Sequence, residues 1–419
     1  MFVPSSSGVA LALLFVCMVC WGSWGNVAKW SSLPFPAFYA VFSVGIWFWS
    51  AVLGLVLGSN LYPADSDSRD FAANLRSVGI GLPVLFACLA GLLFNLANVG
   101  LTLLITLVGL ATAFPVCIGT ALIVGTLLAY IVEPGQTSLG LLCVGLALAV
   151  SPGPAHPKPH QGSLCLLPSP ILTSSPDTHF QHSAALRAQV LALLAMAGAH
   201  VLKERGDAAN ESRPKSPREQ QDAHHTSATC AELVPTLEAV PLVPSNKLSM
   251  RATVLLSLLS GVLMGGFAPL ETLAQDGKSY GVDEALIPYT CSFYFCLAAM
   301  LSSAPICMLL ARHPLSGPAV PSIVAELRRG GVLASAMPFL GGAVWTLGTT
   351  LNFVAGKAVA SQAVAYSIGQ AAPMVAALWG IFYFKEFSGT GPLARLLLSL
   401  MFACYVGAVV AIALSSGSV

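Results

Sequence analysis

Apolar residues fill this chain in blocks of about 20, the length an α-helix needs to cross the hydrocarbon of a bilayer. Such blocks stand near 9–29, 37–58, 80–102, 105–131, 250–272, 286–311, 331–353, 359–384 and 391–415. A tenth candidate is split into 138–150 and 190–202, each too short to cross alone. The stretch between them is rich in Pro, Ser and His and lacks a helical period, and such polar backbone cannot sit in hydrocarbon. Excising 150–189 joins Ala149 to Val190 in one span of ordinary length. At the codon level Val150-Ser151 can be written GTG AGC and Gln189 CAG, as a retained intron would begin and end. An insertion or unspliced intron is therefore expected, the alternative being a real loop between two half-helices.

The expected fold is an all-α membrane protein with ten transmembrane helices. Residues 1–149 hold spans one to four and the start of the fifth, 150–189 the insertion, and 190–202 the rest of the fifth span. Residues 203–249 form a polar linker whose composition reads as solvated and disordered. Residues 250–419 hold spans six to ten. The first apolar block has no basic leader and no small-residue cleavage site, so it reads as a span rather than a signal peptide.

Polar side chains interrupt the spans at helical spacing. Gln362, Tyr366 and Gln370 recur every four residues in the ninth span and share one face. Asn95, Asn98 and Thr102 share a face in the third, Trp345, Thr349 and Asn352 in the eighth, and Tyr39, Ser43, Trp47 and Ser50 in the second. Lipid offers an amide no partner, so these faces should look at protein or at a watery cavity. Each residue can be interhelical glue or a ligand contact. Together, amides beside aromatic faces suit a planar, neutral, hydrogen-bonding solute. Trp21 and Trp24 can anchor at the interface or, with Asn26, reach a substrate.

The halves echo one another. GLLFNLANVGLT (91–102) precedes a span carrying Pro115 and ending at Glu133, and GAVWTLGTTLNF (342–353) precedes one carrying Pro373 and ending at Glu386. The offset of about 251 places Asn95 opposite Thr346 and Asn98 opposite Thr349. Five spans per half is an odd number, so the copies run in opposite directions, an inverted repeat of the kind alternating-access transporters use.

Composition and charge narrow the class. The chain is 56% hydrophobic and 9% charged, with a net charge of +1, so nothing suggests a nucleic-acid partner. Loops on one side of the ten-span plan carry thirteen Lys and Arg and those on the other four, setting aside Lys158 and Arg187 in the insertion. The excess places the central linker in the cytosol and both termini outside. Cys17 and Cys20 form a C-x-x-C that reads as packing rather than a metal or redox site. Glu271, after Gly265-Gly266-Phe267-Ala268-Pro269 where a helix break would be easy, is the candidate protonatable coupling group. Glu133 and Glu386 read as helix-end charges. No P-loop, H-E-x-x-H or G-x-S-x-G supplies catalytic machinery, and no cofactor is implied.

The segments CWGSWGNVAKW (20–30), FYAVFSVG (38–45), SFYF (292–295), GGAVWTLGTTLNFVAG (341–356) and AYSIGQAAPMVAALWGIFYFKEF (365–387) resemble the drug/metabolite transporter superfamily, in particular its ureide permease-like branch. The likeness covers nearly all spans but neither 150–189 nor most of 203–249. It implies two inverted five-helix repeats and transport of small organic solutes, allantoin and uracil among them, driven by protons. Members carry an acid just before the aromatic-Ser pair of the second span, where this chain has Val41-Phe42-Ser43. That departure shifts the expectation toward facilitated diffusion or coupling through Glu271. The expected function is thus a multi-pass secondary transporter of a small polar metabolite, with ureides or nucleobases first and sugars second. A non-transporting scaffold or receptor is the alternative from another class. The lipid bilayer, the solute and protons are the expected partners, in a plasma or internal membrane.

Overall fold

The structure is a computed structural model that describes residues 1–59, 70–132, 250–282, 284–315, 318–358 and 371–415, with scattered positions between 195 and 203 and between 365 and 369. Glu133, the 150–189 segment, the 203–249 linker apart from Lys203, and the Gln362, Tyr366 and Gln370 stripe lie outside the described residues.

The described chain is helical. Helix α1 (Ser7–Ser23) starts where the Ser6 hydroxyl accepts the Val9 N–H at 3.3 Å, and short α2 (Asn26–Trp30) continues it. Helices α3 (Phe35–Leu57), α5 (Leu82–Val108) and α8 (Pro288–Arg312) each carry proline in the first turn, where the missing N–H costs nothing. Short α4 (Phe71–Ser77) is capped by Asp70. Helix α6 is Leu110–Val132, α7 Met250–Gln275, α9 Ile323–Ala358, α10 Ala372–Leu378 and α11 Pro392–Ser415.

Among the described residues six helices are long and apolar enough to cross a membrane. Their outer surface is oily, with Phe48, Leu55, Leu255, Leu301 and Leu309 all exposed, while Asn95, Asn98, Thr349 and Asn352 are buried. That inversion suits a lipid surround, because water would penalise the one and hydrocarbon the other.

Two sequence expectations change, and a third holds. The third span runs to Val108 rather than 102 and stops at Gly109, whose φ of 91° favours glycine. The eighth span begins at the break at Gly331, φ 69°, as expected, and a separate short helix from Ile323 leads into it. The break near Gly265–Pro269 does not occur. Helix α7 continues through Pro269 to Gln275, where neighbouring helices hold it on both sides.

Helices of one half lie mainly against helices of the other. Helix α1 packs on α9 and α10, and α7 on α5 and α6. Helix α3 packs on α9, α8 on α5, α3 on α8, and α6 on α10. With α7, α8, α9 and α10 set against α1, α3, α5 and α6, exchange maps these cross-half pairs onto one another, whereas the contacts of α8 with α9 and of α5 with α6 have no counterpart of similar extent among the described residues. Close approaches obey the same exchange. A methyl group at Gly91 would strike the Phe295 carbonyl, and one at Gly342 would strike the backbone of Gly45 and Ile46. Gly91 and Gly342 are about 251 apart, and so are their partners. Helices α3 and α8 are antiparallel, since Gly58 packs on Tyr289 while Tyr39 reaches Ser303 through Asn95.

Candidate functional site

Where the halves meet, a cavity of about 30 Å³ is walled by Trp21, Trp24, Phe94, Phe114, Phe267 and Trp345, with Asn98 as its polar member. Phe94 and Trp345, about 251 apart, stack on one another with ring centroids 4.5 Å apart. Trp24, which caps the C-terminus of α1, and Phe267 of α7 line the same space. By volume the space holds about one or two waters, so a heterocycle enters only if the aromatic walls separate.

Asn98 is held from behind. Its Nδ2 donates to the Tyr39 hydroxyl at 3.0 Å, and that hydroxyl donates to Asn95 Oδ1 at 3.0 Å. Asn95 Oδ1 also accepts from Ser303 Oγ at 3.1 Å, and Asn95 Nδ2 donates to Ser302 Oγ at 2.9 Å. Every polar atom of the Asn95 side chain is thus used, and Asn95 and Tyr39 fix Asn98 rather than face the cavity. Asn98 Oδ1 is different: it is buried and accepts no hydrogen bond. An orphan acceptor costs about 1–3 kcal/mol when dry, and this one belongs to a residue that lines the cavity.

The eighth-span stripe divides in the same way. Trp345 is a wall, whereas Thr349 accepts the Trp21 indole N–H at 3.1 Å and so sets the ring that forms another wall. Asn352 is 2% exposed and donates to the Ala365 carbonyl at 2.9 Å, away from the cavity. Trp21 and Trp24 are buried in the core, so the interface-anchor reading fails for both. Asn26, also buried, does not line the cavity. Cys17 and Cys20 are unbridged and buried among packing residues.

Phe94, Phe114, Phe267 and Met264 were missed from sequence. A phenylalanine in a membrane span carries no signal separating a cavity wall from a lipid contact. The repeat offers one, because Phe94 stands opposite Trp345.

Glu271 is 2% exposed and accepts from Gln275 Nε2 one turn along α7. It does not line the central cavity. Cys291 and Lys357 share its electrostatic neighbourhood.

Glu386 is more deeply built in than a helix-end charge. Its side chain is 7% exposed, and one oxygen pairs with Lys29. The carboxylate also accepts the Leu110 and Ala111 N–H groups at 3.0 and 2.9 Å, capping α6. A π-helical turn, Trp379–Tyr383, follows α10 and widens the coil. Lys385, at φ 52°, then turns Glu386 back toward α6. Gly109 and Gly380 leave room, since a Cβ at either would meet the carboxylate at about 2.7 Å.

A sequence profile described as ureide permease matches residues 161–416, more than half of the chain. The chain belongs to the ureide permease family. Curated ureide permeases of Arabidopsis thaliana align along its whole length. Ureide permease 4 is 23% identical over 433 aligned residues, covering 100% of this chain and 99% of the relative. Ureide permease 5 is 23% identical, covering 98% and 95%, and ureide permease 2 is 23% identical, covering 100% and 99%. Ureide permeases are transporters, not enzymes. With its long apolar helices, this family member is an integral, multi-pass membrane protein.

Proposed function

We propose that the chain is a secondary transporter that moves a ureide such as allantoin, or a nucleobase such as uracil, by alternating access. The carrying observation is the aromatic cavity with its orphan acceptor, Asn98 Oδ1, at the meeting of the halves. Ureides and nucleobases combine what the walls accept: a flat face to stack and an N–H to donate. The names of the relatives favour the same substrate class.

The full architecture we infer is ten helices in two inverted five-helix repeats, as in the drug/metabolite transporter superfamily. The exchange symmetry of helix pairs and the antiparallel crossing of α3 and α8 support it. Trp21, Trp24, Trp345 and Asn98 contact the solute in this reading. Tyr39, Asn95 and Thr349 position them. Asn352 ties the eighth span to the ninth, whose Gln362, Tyr366 and Gln370 reach the solute on opening. Lys29 and Glu386 shut the cytosolic end in the orientation set by the positive loops.

Glu271 is the coupling group: if it carries the proton, Glu271→Gln abolishes acceleration by a pH gradient but leaves solute exchange. In the same reading 150–189 is an insertion between two half-spans. The family match includes residues 161–189 of that segment, which favours the alternative of a native loop there. Transcripts that uniformly contain 150–189 would rule out a retained intron.

Purified protein in liposomes tests the substrate class. Saturable uptake of labelled allantoin or uracil is expected. Failure of both with and without a pH gradient, or uptake of hexoses alone, would overturn it.

A further inference from the structure

A second space lies at the other end of the bundle, outside the central cavity. It measures about 280 Å³, nearly tenfold larger by the same measure, and opens among Phe2, Gln275, Ile287, Tyr289, Val354 and Lys357. In the orientation set by the loop charges this end faces away from the cytosol.

Two polar groups meet there with opposite hydrogen-bonding character. Lys357 is exposed and donates to the Gln275 carbonyl at 2.8 Å, which orients its ammonium over the space. Gln275 is 5% exposed, and its Nε2 is taken by Glu271, since only the amide N–H end can face a carboxylate. Its Oε1 is therefore turned from Glu271 and accepts no hydrogen bond. A cationic donor thus stands beside a buried acceptor without a partner, in a space large enough for a small organic molecule. The remaining wall is held in place: the Phe2 N–H donates to the Leu57 carbonyl at 2.7 Å, and the Tyr289 hydroxyl to the Phe2 carbonyl at 2.9 Å.

We propose that this vestibule is an outer binding site for a urea group, –NH–CO–NH–. Lys357 donates to the urea carbonyl, Gln275 Oε1 accepts one urea N–H, and the apolar side chains of Phe2, Ile287 and Val354 cover the rest of the solute. The inference rests on the ureide reading of the transported solute. A urea fits better than a simple anion because an anion would leave Gln275 Oε1 unpaired and repelled. It also fits better than an amine, which Lys357 would repel. Solute would collect here before the aromatic walls part, in a site that differs from the central one in holding a charge.

Equilibrium binding of labelled allantoin to the full chain in nanodiscs, run beside liposome uptake, tests the site. Two sites are expected in the wild type. Asn98→Leu should remove the central one and keep the outer. Lys357→Met and Gln275→Leu should each weaken the outer site about tenfold and keep the central, which also shows that they fold. Tetramethylurea, which lacks an N–H, should not compete. Loss of all binding in Asn98→Leu, or wild-type binding in Gln275→Leu, would overturn the outer site. Outer binding without any uptake would keep the site and defeat the ureide-transport reading instead.

Discussion

The two ends of the bundle are finished in opposite ways. At one end Glu386 joins Lys29 to the first turn of α6, and Trp30, Trp379, Tyr383 and Phe384 cluster over the ion pair. Lys29 Nζ lies 4.4 Å from the Phe384 ring centre. At the other end Gln275 and Lys357 border about 280 Å³ of space. One end is closed by an ion pair under aromatic rings and the other borders open space, a difference of the kind a one-sided gate would show. In the alternating-access reading proposed above, the two ends would exchange these finishes.

The largest expected effect comes from breaking the sealed end. Glu386→Ala strands the Lys29 charge and uncaps α6, at a cost of about 3 kcal/mol. It should lower the unfolding temperature in nanodiscs markedly. Glu386→Gln keeps acceptor oxygen but loses the charge pair. Exchange of the Leu110 and Ala111 amides with deuterium should then rise above wild type, and unchanged exchange would mean the clamp is ornamental to this end. Gly91→Ala and Gly342→Ala probe the repeat itself. Each forces a methyl group into backbone of the other half, at about 1–3 kcal/mol, and the two costs should be similar. A large cost at one and none at the other would break the equivalence of the halves. Smallest is Lys357→Met at the roomy end, expected to change stability by about 0.5 kcal/mol or less, because Lys357 is exposed.

Much of the site was legible because polar residues are conspicuous in apolar spans. Asn98, Trp21, Trp24 and Trp345 stood out in this way, and all four line the cavity. Their roles were not legible, because the split between wall and support depends on rotamers. Asn95 and Asn98 look alike in sequence, yet one has every polar atom engaged and the other has an orphan oxygen. Glu386 was read as a helix end because its partners, Lys29 and Leu110, lie in the other half of the chain, beyond any local pattern. The break expected at Pro269 failed for the same reason, since packing by α5 and α6 outweighs one missing hydrogen bond. Helix ends were misplaced where apolar sequence continues on every side and no face marks the boundary.

The central claim is that the aromatic cavity at Asn98 is on the solute's path. Its most direct measurement is uptake of labelled allantoin into liposomes by the wild type and by Asn98→Leu, with equal amounts of folded protein confirmed by thermal unfolding. Saturable uptake is expected of the wild type and a loss of at least about tenfold in the variant, as removal of one buried polar contact to ligand implies. Uptake by Asn98→Leu at the wild-type rate and KM would place the path elsewhere and contradict it.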